Sequence, residues 1–428
     1  MGTKNYSTFN RILDIIFLLS FSISYASVIK YILYAFFPIS EALQRCVILG
    51  LVYIVRFRNR VVLLKCFDKK LFTIVVCLFV WEILQGLLKG SDFNAIAVVL
   101  INLAAGFIGL KYMINLLNEK DGLDKLITPN SYYSLYTFST LLILVLLIII
   151  GFVNPYSNPM SDNSLIATNV EEGVSYYFPA RLSVVYNSPS VFLSLLGIPS
   201  FSGLSHESQA MYYAICPTFF LMFYKYRHKK NIDYRILLVF GILTLITASF
   251  TAIISFVATF IVHMLWKSRL SSNKPATFVY FIAIGVLFSI FFSSSIFQSY
   301  AEVKLVHDTN YSSAGYSLSL INYIFTPSSI LGDGILSSVK DQVDQVAGNC
   351  GYVSSFMMIL FFVVFIQRTL KSVFSRNETC HAIGLASLYF VLHSMKYGIA
   401  LFNSTYIFFI VILLSYSEYI RKNKLYES

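Results

Sequence analysis

His206 and Glu207 stand side by side where a polar stretch meets an apolar run. A carboxylate drawn out of water at such an edge gains proton affinity, which suits a general base. The neighbouring imidazole can share that role or hydrogen-bond a hydroxyl. The competing reading is a helix start, with Ser205 as N-cap, Ser208 and Gln209 opening the helix, and Glu207 favoured by its dipole. Arg181 lies upstream in the same stretch. Its guanidinium is permanently charged and fork-shaped, so it matches a diphosphate; its plainer partners are Glu171 and Glu172. Further on, Lys304 and His307 could hold an anion, with His307 the better proton carrier. For Lys304 and Lys340 a solvated loop explains as much. Thr247, Ser249 and Thr251 put three hydroxyls on a tight hairpin. They line a polar cavity or simply bond backbone carbonyls. His393 and Lys396 share a helix face one turn apart. Glu82 and His381 also fall in apolar runs, where a buried polar group is a functional candidate by default.

Those residues are held by a chain built for lipid. Of its 428 residues 57% are hydrophobic and only 12% charged. A soluble domain is nearer a quarter charged, so a cytosolic enzyme, a secreted disulfide scaffold and a disordered chain are excluded. A span of the hydrocarbon core needs about 20 apolar residues. About twelve runs qualify: 12–37, 39–55, 71–88, 94–117, 132–153, 207–224, 236–249, 251–266, 276–297, 351–367, 379–401 and 403–419. Inside lipid the backbone must satisfy itself, so each run is expected to be helical. The expectation is an all-α polytopic membrane protein, a single integral domain over 1–428. Glu41 and Arg45 are spaced to pair, and His263 and Trp266 read as interface anchors.

The formal charge of +11 resembles a nucleic-acid signal until the charges are located. Lys and Arg cluster at 4–11, 56–70, 111–125, 225–235, 267–274, 368–376 and 421–424, which together hold 25 of the 32 basic side chains. With twelve spans all seven clusters fall on one side, so both termini are expected in the cytoplasm. The basic excess is topogenic, and no nucleic-acid partner is expected. The other side carries two long loops, 154–206 and 298–350, rich in acids and aromatics. Loops of that length are usually functional or disordered; their apolar runs, Val191–Leu196 and Ile321–Phe325, are expected to be folded, with short membrane-skimming helices. No metal-ligand spacing, Walker motif or dinucleotide fingerprint is legible, so no metal or cofactor is expected.

The order of these patches resembles the Wzy-type O-antigen polymerases of the O-antigen ligase-like group. The topological likeness spans the chain. Arg181 and Gly197 resemble the arginine-to-glycine motif of the family's outer loops. Ser202-Gly203-Leu204-Ser205-His206-Glu207-Ser208 is similar to its Gly-Leu-Phe-x-Glu-Pro-Ser stretch, and Thr247–Thr251 to its Thr-x-Ser-Arg-Thr hairpin. Pro327–Gly334 resembles its Pro-x-x-x-x-Gly-x-Gly turn. Ser208 stands where proline is common and Phe250 where arginine is common, and residues 298–350 contain no arginine.

The resemblance implies a metal-independent glycosyltransferase in the bacterial inner membrane. It would polymerise undecaprenyl-diphosphate-linked oligosaccharide units into O-antigen or capsular polysaccharide at the periplasmic face. Glu207, His206 and His307 would be catalytic. Arg181, Gly203, Ser249, Thr251, His393 and Lys396 would bind diphosphate and sugar. A chain-length regulator and a flippase would be partners. The alternatives are an O-antigen ligase, which moves finished polymer onto lipid A-core, and a lipid-linked oligosaccharide flippase or transporter. A proton-relay transporter would use Glu82, His393 and Lys396.

Overall fold

A computed structural model describes residues 8–22, 41–57, 69–90, 93–157, 176–177, 184–186, 200–203, 250–270, 342–394 and 404–423, with a few isolated positions such as Phe220. Helix dominates them. The helices are α1 (Thr8–Ser22), α2 (Glu41–Phe57), α3 (Lys69–Leu88), α4 (Phe93–Leu117), α5 (Gly122–Ile149), α6 (Phe250–Leu270), α7 (Gln342–Val373), α8 (Glu378–Ser394) and α9 (Ser404–Lys422). Among the described residues two stretches, Lys69–Leu88 and Val99–Leu117, are long and apolar enough to cross a membrane, with mean hydropathy 2.2 and 1.6. The runs expected at 207–224, 236–249 and 276–297 fall on residues outside the described ones, apart from isolated positions.

Two helices begin nine or ten residues before their apolar runs. Gly122–Ile149 takes in ten residues ahead of position 132, including Pro129. Gln342–Val373 takes in the last nine residues of the expected second loop. Helix formation needs only unstrained backbone and satisfied amides, so a polar helical extension can continue an apolar span without any hydropathy signal.

One end of the bundle is closed by charge. Arg56, in the last turn of α2, donates to Asp14 of α1 at 3.0 Å and to Glu119 beyond α4 at 2.7 Å. Lys125 in the first turns of α5 meets the same Glu119 oxygen at 2.8 Å. Tyr112 of α4 donates its hydroxyl to Asp14 while stacking on Phe17 at 3.5 Å. Lys422 at the end of α9 donates to Asn118. The side chains of Asp14 and Arg56 are only 1% and 5% exposed. Two acids and two bases balance, as buried ions must. Three of the basic sequence clusters, those holding Arg56, Lys125 and Lys422, therefore meet at one charged end. Beside the network Glu119, Asp121, Asp124, Tyr419 and Lys422 line a cavity of about 380 Å³.

A second closure joins α6, α7 and α8. Asn377 is the N-cap of α8, its side-chain oxygen accepting from the Cys380 amide at 3.1 Å. Gly384 lets α8 lie against the end of α7: a Cβ there would stand 2.4 Å from the Val373 nitrogen. The Trp266 indole donates to the Ser375 carbonyl at 2.7 Å and stacks on His381 at 3.8 Å. His263 and His381 hydrogen-bond at 3.0 Å. Trp266 and His263 are 4% and 6% exposed, so they are packed partners of α8 rather than the interface anchors expected. Their burial comes from the tertiary approach of α8, which no local pattern announces.

Candidate functional site

The described part of the first long loop includes a small antiparallel sheet; the apolar runs Val191–Leu196 and Ile321–Phe325, expected as skimming helices, lie outside the described residues. Strands β1 (Tyr176–Tyr177), β2 (Val184–Tyr186) and β3 (Ser200–Gly203) lie in that order. Tyr176 pairs with Tyr186, and Val184 with Gly203. Tyr, Val and Phe, which these strands carry, are residues that favour strands, although strands this short depend on their support. That support is α5: β3 packs on it, Phe201 and Ser202 are buried, and Tyr177 meets Tyr156 edge-on at 5.1 Å. Tyr156 follows the C-terminal end of α5, whereas Lys125 and its ion pair stand at the N-terminal end. A helix of 28 residues separates the two by about 42 Å. The sheet and the charged end are therefore at opposite ends of the bundle.

The register decides what the sheet could bring together. Val184, where the chain enters β2, pairs with Gly203, where it leaves β3. Arg181 belongs to the 178–183 connection that ends at Val184, and His206 and Glu207 follow Gly203. Arg181, His206 and Glu207 themselves lie outside the described residues. Gly203 has φ 63° and is buried. That left-handed backbone is easy for glycine and strained for other residues, so it turns the chain out of the sheet at this point.

A second group lies on the α6–α8 pair, which runs antiparallel. His263 meets His381 at 3.0 Å. Toward the other end Phe220 bridges the two helices, 6.1 Å from Phe256 and 6.4 Å from Tyr389. Twelve residues from the histidine pair along each helix come Thr251 on α6 and His393 on α8. Both steps cover about 18 Å, so the two backbones are level. Thr251 sits in the first turn of α6 and His393 in the last turn of α8. His393 is fully buried, and its Nδ1 lies 3.2 Å from the Tyr389 hydroxyl. Phe220 belongs to the run that starts at Glu207.

Of the expected site residues, Gly203, Thr251 and His393 are described. Arg181, His206, Glu207, Ser249, His307 and Lys396 lie outside the described residues. Tyr389 was not anticipated; its spacing of four residues before His393 was the available signal. Among the described residues no three His, Cys, Asp or Glu side chains gather as a metal site. No protein-family model, curated protein or solved structure matches this chain.

Proposed function

We propose that this chain is a membrane-embedded glycosyltransferase of the O-antigen polymerase type, joining undecaprenyl-diphosphate-linked oligosaccharide units. The observation that carries the reading is the sheet register: Val184, where the connection carrying Arg181 enters β2, pairs with Gly203, after which the chain continues to His206 and Glu207, at one end of the β2–β3 ladder. Sequence order alone does not imply that pairing. A permanent cation and a candidate base, both tethered to that end, suit transfer from a sugar diphosphate.

In this reading Arg181, with His307, holds the donor diphosphate. It offsets the negative charge that grows as the sugar–phosphate C–O bond breaks. Glu207 or His206 takes the proton from the acceptor hydroxyl, whose oxygen forms the new glycosidic bond. Undecaprenyl diphosphate leaves, and the proton remains on the base. Tyr176, Tyr177 and Tyr186 give the sheet an aromatic content suited to sugar stacking. Ser249 and Thr251 add hydroxyls, and Lys396 a second cation. The site faces the periplasm, and the charged end faces the cytoplasm. A flippase would deliver the substrate and a chain-length regulator would set its extent.

Arg181→Ala and Glu207→Gln are each expected to abolish long polymer in a complementation assay read by gel. Wild-type polymer length and yield in both variants would overturn the assignment. Deletion of the gene separates the related activities. A single repeat unit on lipid A-core identifies a polymerase, while bare core identifies a ligase or flippase.

A further inference from the structure

We propose that His263 and His381 form a proton-sensitive latch, which holds α6 to the α7–α8 turn while the pair carries at most one added proton and opens when both imidazoles are charged. The inference does not depend on the polymerase reading. Its basis is a chain of hydrogen bonds whose direction is fixed from one end. His381 Nδ1 lies 2.5 Å from the Val373 carbonyl oxygen. A carbonyl can only accept, so that nitrogen carries the ring proton. In the neutral ring Nε2 is then a lone pair. His263 Nδ1 lies 3.0 Å from it and must donate, so His263 is the Nδ1–H tautomer as well. The contact survives one added proton, because a charged His263 still donates from Nδ1 to the His381 lone pair. A second added proton breaks it. Both facing nitrogens then carry hydrogen, and two like charges stand side by side at residues only 6% and 2% exposed. Trp266 completes the clasp from the same helix. Its indole stacks on His381 at 3.8 Å and donates to the Ser375 carbonyl at 2.7 Å. The charged side chains described on the elements around the pair are Lys267 on α6, Arg368 and Lys371 on α7, Arg376 in the turn and Glu378 on α8, with the buried Cys380 thiol as a further titratable group. On α9, which touches α8, Glu418 is engaged by Arg421 at 2.8 Å. Cations outnumber acids around the pair, so they add to the repulsion of a second charge instead of offsetting it.

The test uses the full-length protein in nanodiscs. The chain has two tryptophans, and Trp81→Phe leaves Trp266 as the reporter, stacked on His381. Its emission is followed as pH falls from about 8 to about 5, the range in which histidines titrate. Two stages are expected. Quenching comes first, because an imidazolium quenches a neighbouring indole. A red shift follows, as the indole leaves its buried site. Helical circular dichroism should hold through both stages, which separates the latch from unfolding. His263→Gln in the same background keeps a hydrogen-bonding group for His381 and removes one proton site, so the quenching should remain and the red shift should vanish. A second measurement needs no variant. With ¹⁵N-labelled histidine at pH about 8, one pair among the six histidines is expected to show both rings as Nδ1–H, with a scalar coupling across the N–H···N bond. That coupling should survive the first stage and disappear in the second. An Nε2–H tautomer in either ring of the pair, a coupling that outlasts both stages, no red shift over the titration, a red shift that persists in His263→Gln, or helix lost together with the red shift would each overturn the proposal. If His263→Gln does not fold, the coupling decides alone.

Discussion

Glu119 is the acid on which the charged end of the bundle closes. Burial pushes its carboxyl pKa up, but hydrogen bonds from Arg56 and Lys125 and their charges outweigh it, so the group lies below the usual glutamate range. The sign of the linkage follows. A depressed carboxyl stabilises the fold at pH above its unfolded pKa, and the contribution is lost as pH falls through the lowered folded value. Thermal unfolding in detergent should therefore show a fall in Tm on the acid side. Glu119→Gln should lower Tm at neutral pH and flatten that fall. Removing one partner of a buried pair costs about 3 kcal/mol or more, because the remaining cation stays desolvated. An unchanged acid limb in Glu119→Gln would refute the assignment. Glu119 carries no special signal in the sequence; it is one acid beside the basic cluster at 111–125. Only the meeting of the α2 end with the α4–α5 turn gives it Arg56 as a partner.

The α7–α8 hairpin shows how far elements can be read locally. The sequence places a helix at 379–401 and the structure starts it at Glu378. The Asn377 cap, the basic turn and the following apolar run are all local features. The close approach at Gly384 is not local, since it depends on where the last turn of α7 lies. Gly384→Ala should force the two helices apart against backbone atoms. The expected loss is about 1–3 kcal/mol, the usual cost of overpacking. It should appear as a lower Tm and weaker protection of the α8 amides in hydrogen exchange. Asn377→Ala should cost about 1 kcal/mol, the value of an N-cap. The strands of the first loop were not legible, because strands of two to four residues carry too few alternations to stand out from apolar loop residues.

At the scale of the whole molecule, one long helix separates two environments. The ion network stands at the start of α5 and the sheet packs toward its far end; the helix itself is about 42 Å long, close to the thickness of a bilayer with its headgroups. Tyr352, Phe356, Leu360, Val363, Leu370 and Phe374 form an exposed apolar stripe along α7. Its length is about 33 Å at helical rise, enough for the hydrocarbon core. In the proposed orientation, a cysteine at Tyr156 should react with an impermeant maleimide in intact cells. A cysteine at Asn423, introduced after the native cysteines are replaced, should react only after permeabilisation. The opposite pattern would invert the orientation and remove the Arg181 loop from the periplasm.

Composition by itself decided that this chain belongs with apolar helices, and charge spacing gives the expectation that its basic residues share a side. Both follow from side-chain transfer energies, which act residue by residue. Helix positions were legible to within a few residues wherever hydropathy changes sharply, as at Glu41–Phe57 and Phe93–Leu117. Tertiary structure alone decided the rest. It paired Arg56 with Asp14 across 42 positions and His263 with His381 across 118. It set Val184 beside Gly203 and Thr251 level with His393. Such pairings depend on strand register and helix crossings, which arise from the packing of the whole chain and leave no mark in a local window.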